Sequence, residues 1–184
     1  MKRLAEHLVL AVVLTACTTG LAVAAKDQPV QAMTGQPSPQ AVLGRLQKAV
    51  EDRVPQRYRE ALADSFRFTP HPAVAAAYPE LPWQRWGIDQ EFEFIRWMCA
   101  PTRTVEFHLL DDVLDRGIQS RGRCEWEVIY TLLVDGEAFR GRAVLEFVEI
   151  RQLWYLASWT DTRPEAWEGR VVPTSGEARA SLIP

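Results

Sequence analysis

The stretch Arg123 to Val148, RCEWEVIYTLLVDGEAFRGRAVLEFV, constrains this chain more than any other. Asp135-Gly136 lies between two runs rich in β-branched and aromatic residues, the pattern of a two-residue hairpin loop. With that loop, Val134 faces Glu137, Leu132 faces Phe139 and Tyr130 faces Gly141. Further out, Val128 meets Ala143, Trp126 meets Leu145 and Cys124 meets Phe147. Side chains alternate along a strand, so all of these point to one face. The opposite face collects Arg123, Glu125, Glu127, Thr131, Arg140, Arg142 and Glu146 as a solvated cross-strand charge ladder. A one-residue slip would mix the two sets, so the sorting itself fixes the register.

Helical patterns precede this hairpin. Ser38-Pro39 is a cap followed by proline at the first helical position, and Val42, Leu43, Leu46, Ala49 and Val50 form one apolar stripe. Pro55 opens a second short helix with Tyr58, Ala61 and Leu62. Phe66-Arg67-Phe68 is a brief strand ended by Pro70-His71-Pro72, and Ala73 to Tyr78 holds a turn or two of helix. After a Trp-weighted loop at 79–87, Ile88, Phe92, Ile95 and Met98 mark a third helix, widened by Phe94 and Trp97. Thr104 to Leu114 is a strand, Asp115 to Gly122 a polar turn, and Leu153 to Thr160 follows the hairpin as a last strand. Helices first and a meander afterwards give an α+β fold with helices covering one sheet face.

Residues 1–24 have the layout of an export signal: basic Lys2 and Arg3, then apolar Leu8 to Ala16. Two processing sites follow. Leu14-Thr15-Ala16-Cys17 resembles a lipobox, with Cys17 as the lipidated residue, and Ala22-Val23-Ala24 is an ordinary cleavage site. Either places the domain outside the cytoplasmic membrane, with a lipid anchor as the only membrane attachment. Residues 25–38 read as a flexible tether, 39–161 as the domain and 162–184 as a C-terminal tail that is partly ordered at best. Lys and Arg number 21 against 24 Asp and Glu. Such a balance argues against nucleic acid, whose binding rests on neutralising phosphates. Beyond Cys17 only Cys99 and Cys124 remain, too few for a disulfide scaffold, although the two could bridge helix end to sheet.

The segments AVEDRVPQRYREALADSFRF at 49–68 and LWYLASWTD at 153–161, with the helix between them, resemble the nuclear transport factor 2-like superfamily. The resemblance spans Gln40 to Asp161. It implies a cone: a curved antiparallel sheet wrapped over N-terminal helices. Ketosteroid isomerases, epoxide hydrolases, scytalone dehydratase and polyketide cyclases share that fold with many members of no known activity. No catalytic set of theirs matches this chain residue by residue, and fold alone does not assign function.

Small residues at Gly141 and Ala143 leave room at the centre of the inward face. Either a helix side chain such as Trp97 or Phe92 fills it, or it is an apolar ligand pocket lined by Tyr58, Trp86, Trp97, Trp126, Tyr130, Gly141 and Ala143. For catalysis the candidates are Asp64, Tyr130 and His71. An acid–base role requires Asp64 to be buried beside apolar walls and to share one cavity with Tyr130. Glu106, His108 and Asp112 share a strand face without completing a metal site, and no cofactor motif is present. The first reading is therefore a non-catalytic envelope domain that binds an apolar small molecule or a protein. The alternative is a cofactor-free lyase, isomerase or hydrolase.

The last strand completes the expectations. A loop at Ile150-Arg151 pairs Val148 with Leu153 and Phe147 with Trp154. Ile129, Leu133, Val144, Val148, Leu153, Tyr155, Ala157 and Trp159 then form an apolar patch on the outer face, the mark of an interface. The expected occupant is a second copy of the chain. The rival is a tail folded back through Trp167 and Val171-Val172.

Overall fold

The computed structural model describes residues 35–109, 113–120 and 122–181, with 113–119 as backbone alone. The export signal, most of the tether and Asp112 lie outside the described residues. Helix α1 (Pro39–Glu51) starts where expected: the Ser38 hydroxyl accepts from the Ala41 amide, and Pro39 takes the first position. Its five stripe residues Val42, Leu43, Leu46, Ala49 and Val50 are all fully buried. Helix α2 (Pro55–Arg59) follows, then strand β1 (Leu62–Thr69), α3 (Pro72–Ala77) and, beyond the Trp loop, α4 (Ile88–Met98).

The sheet is built from β2 (Val105–His108), β3 (Val113–Ser120), β4 (Arg123–Val134), β5 (Glu137–Ile150) and β6 (Leu153–Pro164), ordered β1-β6-β5-β4-β2 with β3 also on β4. The β4–β5 register is the one read from the sequence, pair for pair from Val134↔Glu137 to Cys124↔Phe147. Positive φ at both Asp135 (52°) and Gly136 (83°) gives the turn that matches strand twist.

Several expectations differ. The polar run at 115–120 is strand, not turn, because β3 is an edge strand that tolerates polar residues. The β5–β6 loop is Arg151-Gln152, so Ile150 faces Leu153 and Val148 faces Tyr155. That two-residue shift leaves faces unchanged, but Ala157 is an extra residue in a bulge between Phe147↔Leu156 and Glu146↔Ser158. Past a bulge the alternation is offset by one. Trp159 therefore turns inward, 1% exposed, instead of joining the outer patch. At the tether's end, Gln36 pairs its backbone with Trp154, and the Gly35 amide donates to the Tyr155 hydroxyl.

The largest difference is the tail. After β6 come a two-residue hairpin, β7 (Ala166–Trp167) with β8 (Arg170–Val171), and a six-residue helix, α5 (Ser175–Ala180). The hairpin covers one end of the outer face, where the Arg140 guanidinium lies 5.6 Å from the centre of the Trp167 ring, yet Val171 stays 73% exposed. Helix α5 turns inward, and Ser175, Gly176, Ala178, Arg179 and Ala180 are buried. A Thr174–Glu177 capping box starts it. Its small side chains let it slot in closely: a Cβ on Gly176 would sit 3.1 Å from Pro70 and 3.2 Å from Val74.

Candidate functional site

Helix α5 delivers Arg179 into the space between sheet and helices. Its Nη2 donates to Glu91 Oε1 at 2.6 Å and its Nε to Oε2 at 2.9 Å, a two-pronged pair with side chains 2% and 0% exposed. Glu91 comes from α4, on the stripe of Phe94, Ile95 and Met98, one turn before Ile95 and two before Met98. Trp86 Nε1 donates to Oε2 at 3.0 Å, and the Tyr58 hydroxyl approaches Oε1 at 3.4 Å. The guanidinium carbon lies 3.8 Å from the ring centre of Phe68 and 4.5 Å from that of Phe94. Burial opposes charge on Arg179, but the Glu91 carboxylate and its hydrogen bonds outweigh this and raise the pKa.

A second buried carboxylate, Asp161, anchors the start of α5. It accepts from Trp159 Nε1 (2.8 Å), from the Gly176 amide (3.0 Å) and from the Ser175 hydroxyl (3.0 Å). The Tyr130 hydroxyl accepts the Ser175 amide at 2.7 Å. Burial pushes the Asp161 pKa up, against the lowering effect of Arg179 and of the neighbouring Trp159, Tyr130 and Ser175. Tyr58 and Tyr130 are pushed well above the usual phenol range, first by burial and then by the neighbouring Glu91 and Asp161 charges. Both phenols are therefore hydrogen-bonding groups at neutral pH.

The structure brings together some of the sequence candidates. Tyr58 and Trp86 meet at Glu91, Tyr130 meets Gly141, and Ala143 is the strand partner of Asp161. Gly141 does leave room, but Tyr130 takes it, since a Cβ there would lie 2.5 Å from the phenol oxygen. The space beneath the sheet is occupied by Arg179, not by Trp97 or Phe92. Trp97 stacks on Phe94 and under Arg103 at 3.6 Å, half-buried. Trp126 packs on Phe147, four residues along β4 from Tyr130.

Asp64 is exposed on β1 while Tyr130 is fully buried, so the two share no cavity. His71 caps α3 by accepting from the Ala73 amide. Glu106 and His108 are exposed, and among the described residues no group of three or more potential ligands is gathered. Cys99 and Cys124 are both buried and free. Burial raises both thiol pKa values, that of Cys124 to about 11.

Sequence reasoning missed Glu91, Asp161, Ser175 and Arg179. Glu91 had a legible signal in its place on the apolar stripe of α4, and Arg179 had one in the capping box upstream.

Solved structures match this arrangement of a curved sheet and helices. A putative scytalone dehydratase from Novosphingobium aromaticivorans has a TM-score of 0.54 at 8% identity, over 73% of this chain and 89% of its own. The chain has the nuclear transport factor 2-like fold. A putative calcium/calmodulin-dependent protein kinase type II association domain from Thiobacillus denitrificans gives 0.50 at 15% identity, over 71% and 98%. A conserved protein from Planctomyces limnophilus gives 0.54 at 15%, over 67% and 91%. No family model and no curated protein matches the chain. At such identities the likeness is one of fold, and the nuclear transport factor 2-like interior of this chain is closed by its own α5.

Proposed function

We propose that this nuclear transport factor 2-like chain is an exported, non-catalytic binding domain of the cell envelope that works through the outer face of its sheet. The observation that carries the reading is the occupied interior. Tyr58 and Trp86 are hydrogen-bonded to the Glu91 that holds Arg179, and Tyr130 fills the space over Gly141, so an apolar molecule inside the cone would have to displace a buried ion pair. The alternative of a lyase, isomerase or hydrolase needed Asp64 and Tyr130 together, and they lie in different compartments.

The outer face supports a partner. Ile129, Leu133, Val144, Val148, Leu153, Tyr155 and Ala157 remain half-exposed there, and a groove of about 200 Å³ runs beside Val148 and Ala157 between Arg67 and Arg123. The tail hairpin covers only the Arg140 end. The partner we favour is a second copy, because one face can then bury its apolar row against itself. Export rests on Lys2, Arg3, the apolar run to Ala16 and Cys17, which serves as lipid anchor if the lipobox is used. Light scattering at tens of micromolar on the chain from Met33 onward tests the interface. Twice the monomer mass is expected, falling to the monomer with Val148→Glu. A monomer without the substitution sinks the proposal.

A further inference from the structure

The surroundings of Arg179 form a receptor for its side chain. Glu91 is held from behind by Trp86 Nε1 at 3.0 Å, and the Tyr58 hydroxyl lies 3.4 Å from it, so two of its neighbours remain without Arg179. Its two oxygens lie at matched distances, 2.6 and 2.9 Å, from two adjacent guanidinium nitrogens. Aromatic rings of Phe68, Phe94 and Trp159 lie 3.8, 4.5 and 5.8 Å from the guanidinium carbon. A flat, weakly hydrated cation with fork-like donors suits this cage; a compact, strongly hydrated ammonium does not. Among the buried residues described, Arg179 is the only cation and Glu91 and Asp161 are the acids, so the emptied cage would be acidic. The occupant stands on a six-residue helix that lies outside the main sheet and is preceded by exposed Glu168 to Val171.

We propose that the cage of Glu91, Phe68, Phe94 and Trp159 is a guanidinium-binding site, filled in cis by Arg179 and open to a small guanidinium compound when that side chain is withdrawn. Ligand and Arg179 exclude each other, so occupancy also sets whether α5 is seated. The site is separate from the outer sheet face and stands whether or not that face dimerises.

Chemical rescue in the full chain tests it. Arg179→Ala is melted in ethylguanidinium chloride, ethylammonium chloride or sodium chloride at equal ionic strength. Ethylguanidinium should raise the melting temperature saturably, by about 5–10 °C at a hundredfold excess over its Kd. The other two salts should not. The rise should vanish in the Glu91→Gln, Arg179→Ala double variant. Should Arg179→Ala fail to fold alone, ethylguanidinium added during dialysis from urea should restore its near-ultraviolet dichroism, and ethylammonium should not. Equal responses to the three salts, or an ethylguanidinium effect that survives Glu91→Gln, overturn the proposal.

Discussion

The Glu91–Arg179 pair makes a prediction whose sign does not depend on magnitudes. Arg179→Met keeps most of the buried stem but strips two charge-assisted hydrogen bonds from a carboxylate that is 0% exposed. Leaving one partner of a buried pair uncompensated costs about 3–5 kcal/mol. Glu91→Met leaves Arg179 buried without its carboxylate and also orphans the Trp86 indole N–H, adding about 1–3 kcal/mol. Each single variant thus removes a large fraction of the ~5–15 kcal/mol a domain typically has.

The double variant Glu91→Met, Arg179→Met removes both charges together. Replacing a buried pair by apolar residues is neutral or stabilising by about 1–4 kcal/mol, offset in this cage by the stranded indole and phenol. The double variant should therefore be more stable than either single one. Urea unfolding followed by tryptophan fluorescence measures this, with the m value checking that each variant unfolds from the same compact state. Additive losses, or a single-variant cost below about 1 kcal/mol, would refute the claim that this pair is dry and coupled.

Asp161 and Gly141 give two more tests. Asp161→Asn turns one acceptor into a donor facing the Trp159, Ser175 and Gly176 donors and should cost about 1–3 kcal/mol. Because the folded-state pKa of Asp161 is raised, the native chain binds that proton more tightly than the unfolded one. Its stability relative to Asp161→Asn should rise as pH falls from neutral toward the ordinary carboxylate value of 3.8 and be lost as pH climbs back. Urea titrations between pH 4 and 8 read this, and a gap moving the other way contradicts it. Gly141→Ala places a methyl 2.5 Å from the Tyr130 oxygen and 3.1 Å from the Arg163 carbonyl, and should lose about 1–3 kcal/mol by overpacking. A denaturation midpoint equal to the native one would mean Tyr130 does not lie over Gly141.

The sheet is legible where two local signals agree. Asp135-Gly136 names the loop, and twelve residues of alternation on each side name the faces, so β4 and β5 pair as read. At the next hairpin the loop residues Arg151 and Gln152 both adopt positive φ (51° and 67°) without a glycine to announce them. The bulge at Ala157 has no residue signature either. It lets Leu156 and Trp159 face inward together and carries Asp161 into the core, which strict alternation from Leu156 would have denied. The charge of Glu91 disguises its place in the core. Helix α5 is hidden because Ser, Gly and Ala give it no apolar stripe, and its burial rests on hydrogen bonds and one ion pair.

That last point bears on why the chain keeps an ion pair that apolar residues could replace. An apolar stripe tells a helix which face to bury and at what depth. Helix α5 has Ala178 and Ala180 as its buried apolar side chains, too little to specify either. Arg179 fixes both, because its fork meets Glu91 at one depth and one rotation, while Asp161 receives the Ser175 and Gly176 donors at the other end. Specificity of seating, rather than added stability, is then what the pair contributes. The Glu91→Met, Arg179→Met variant separates the two. It should unfold at a urea concentration near the native midpoint, yet its amides from Gly176 to Ala180 should exchange hydrogen at least tenfold faster, on the order expected when a helix loses what holds it in one place. Native-like protection of those amides in the double variant would show that the small side chains and Asp161 alone seat the helix, and that Arg179 has no part in placing it.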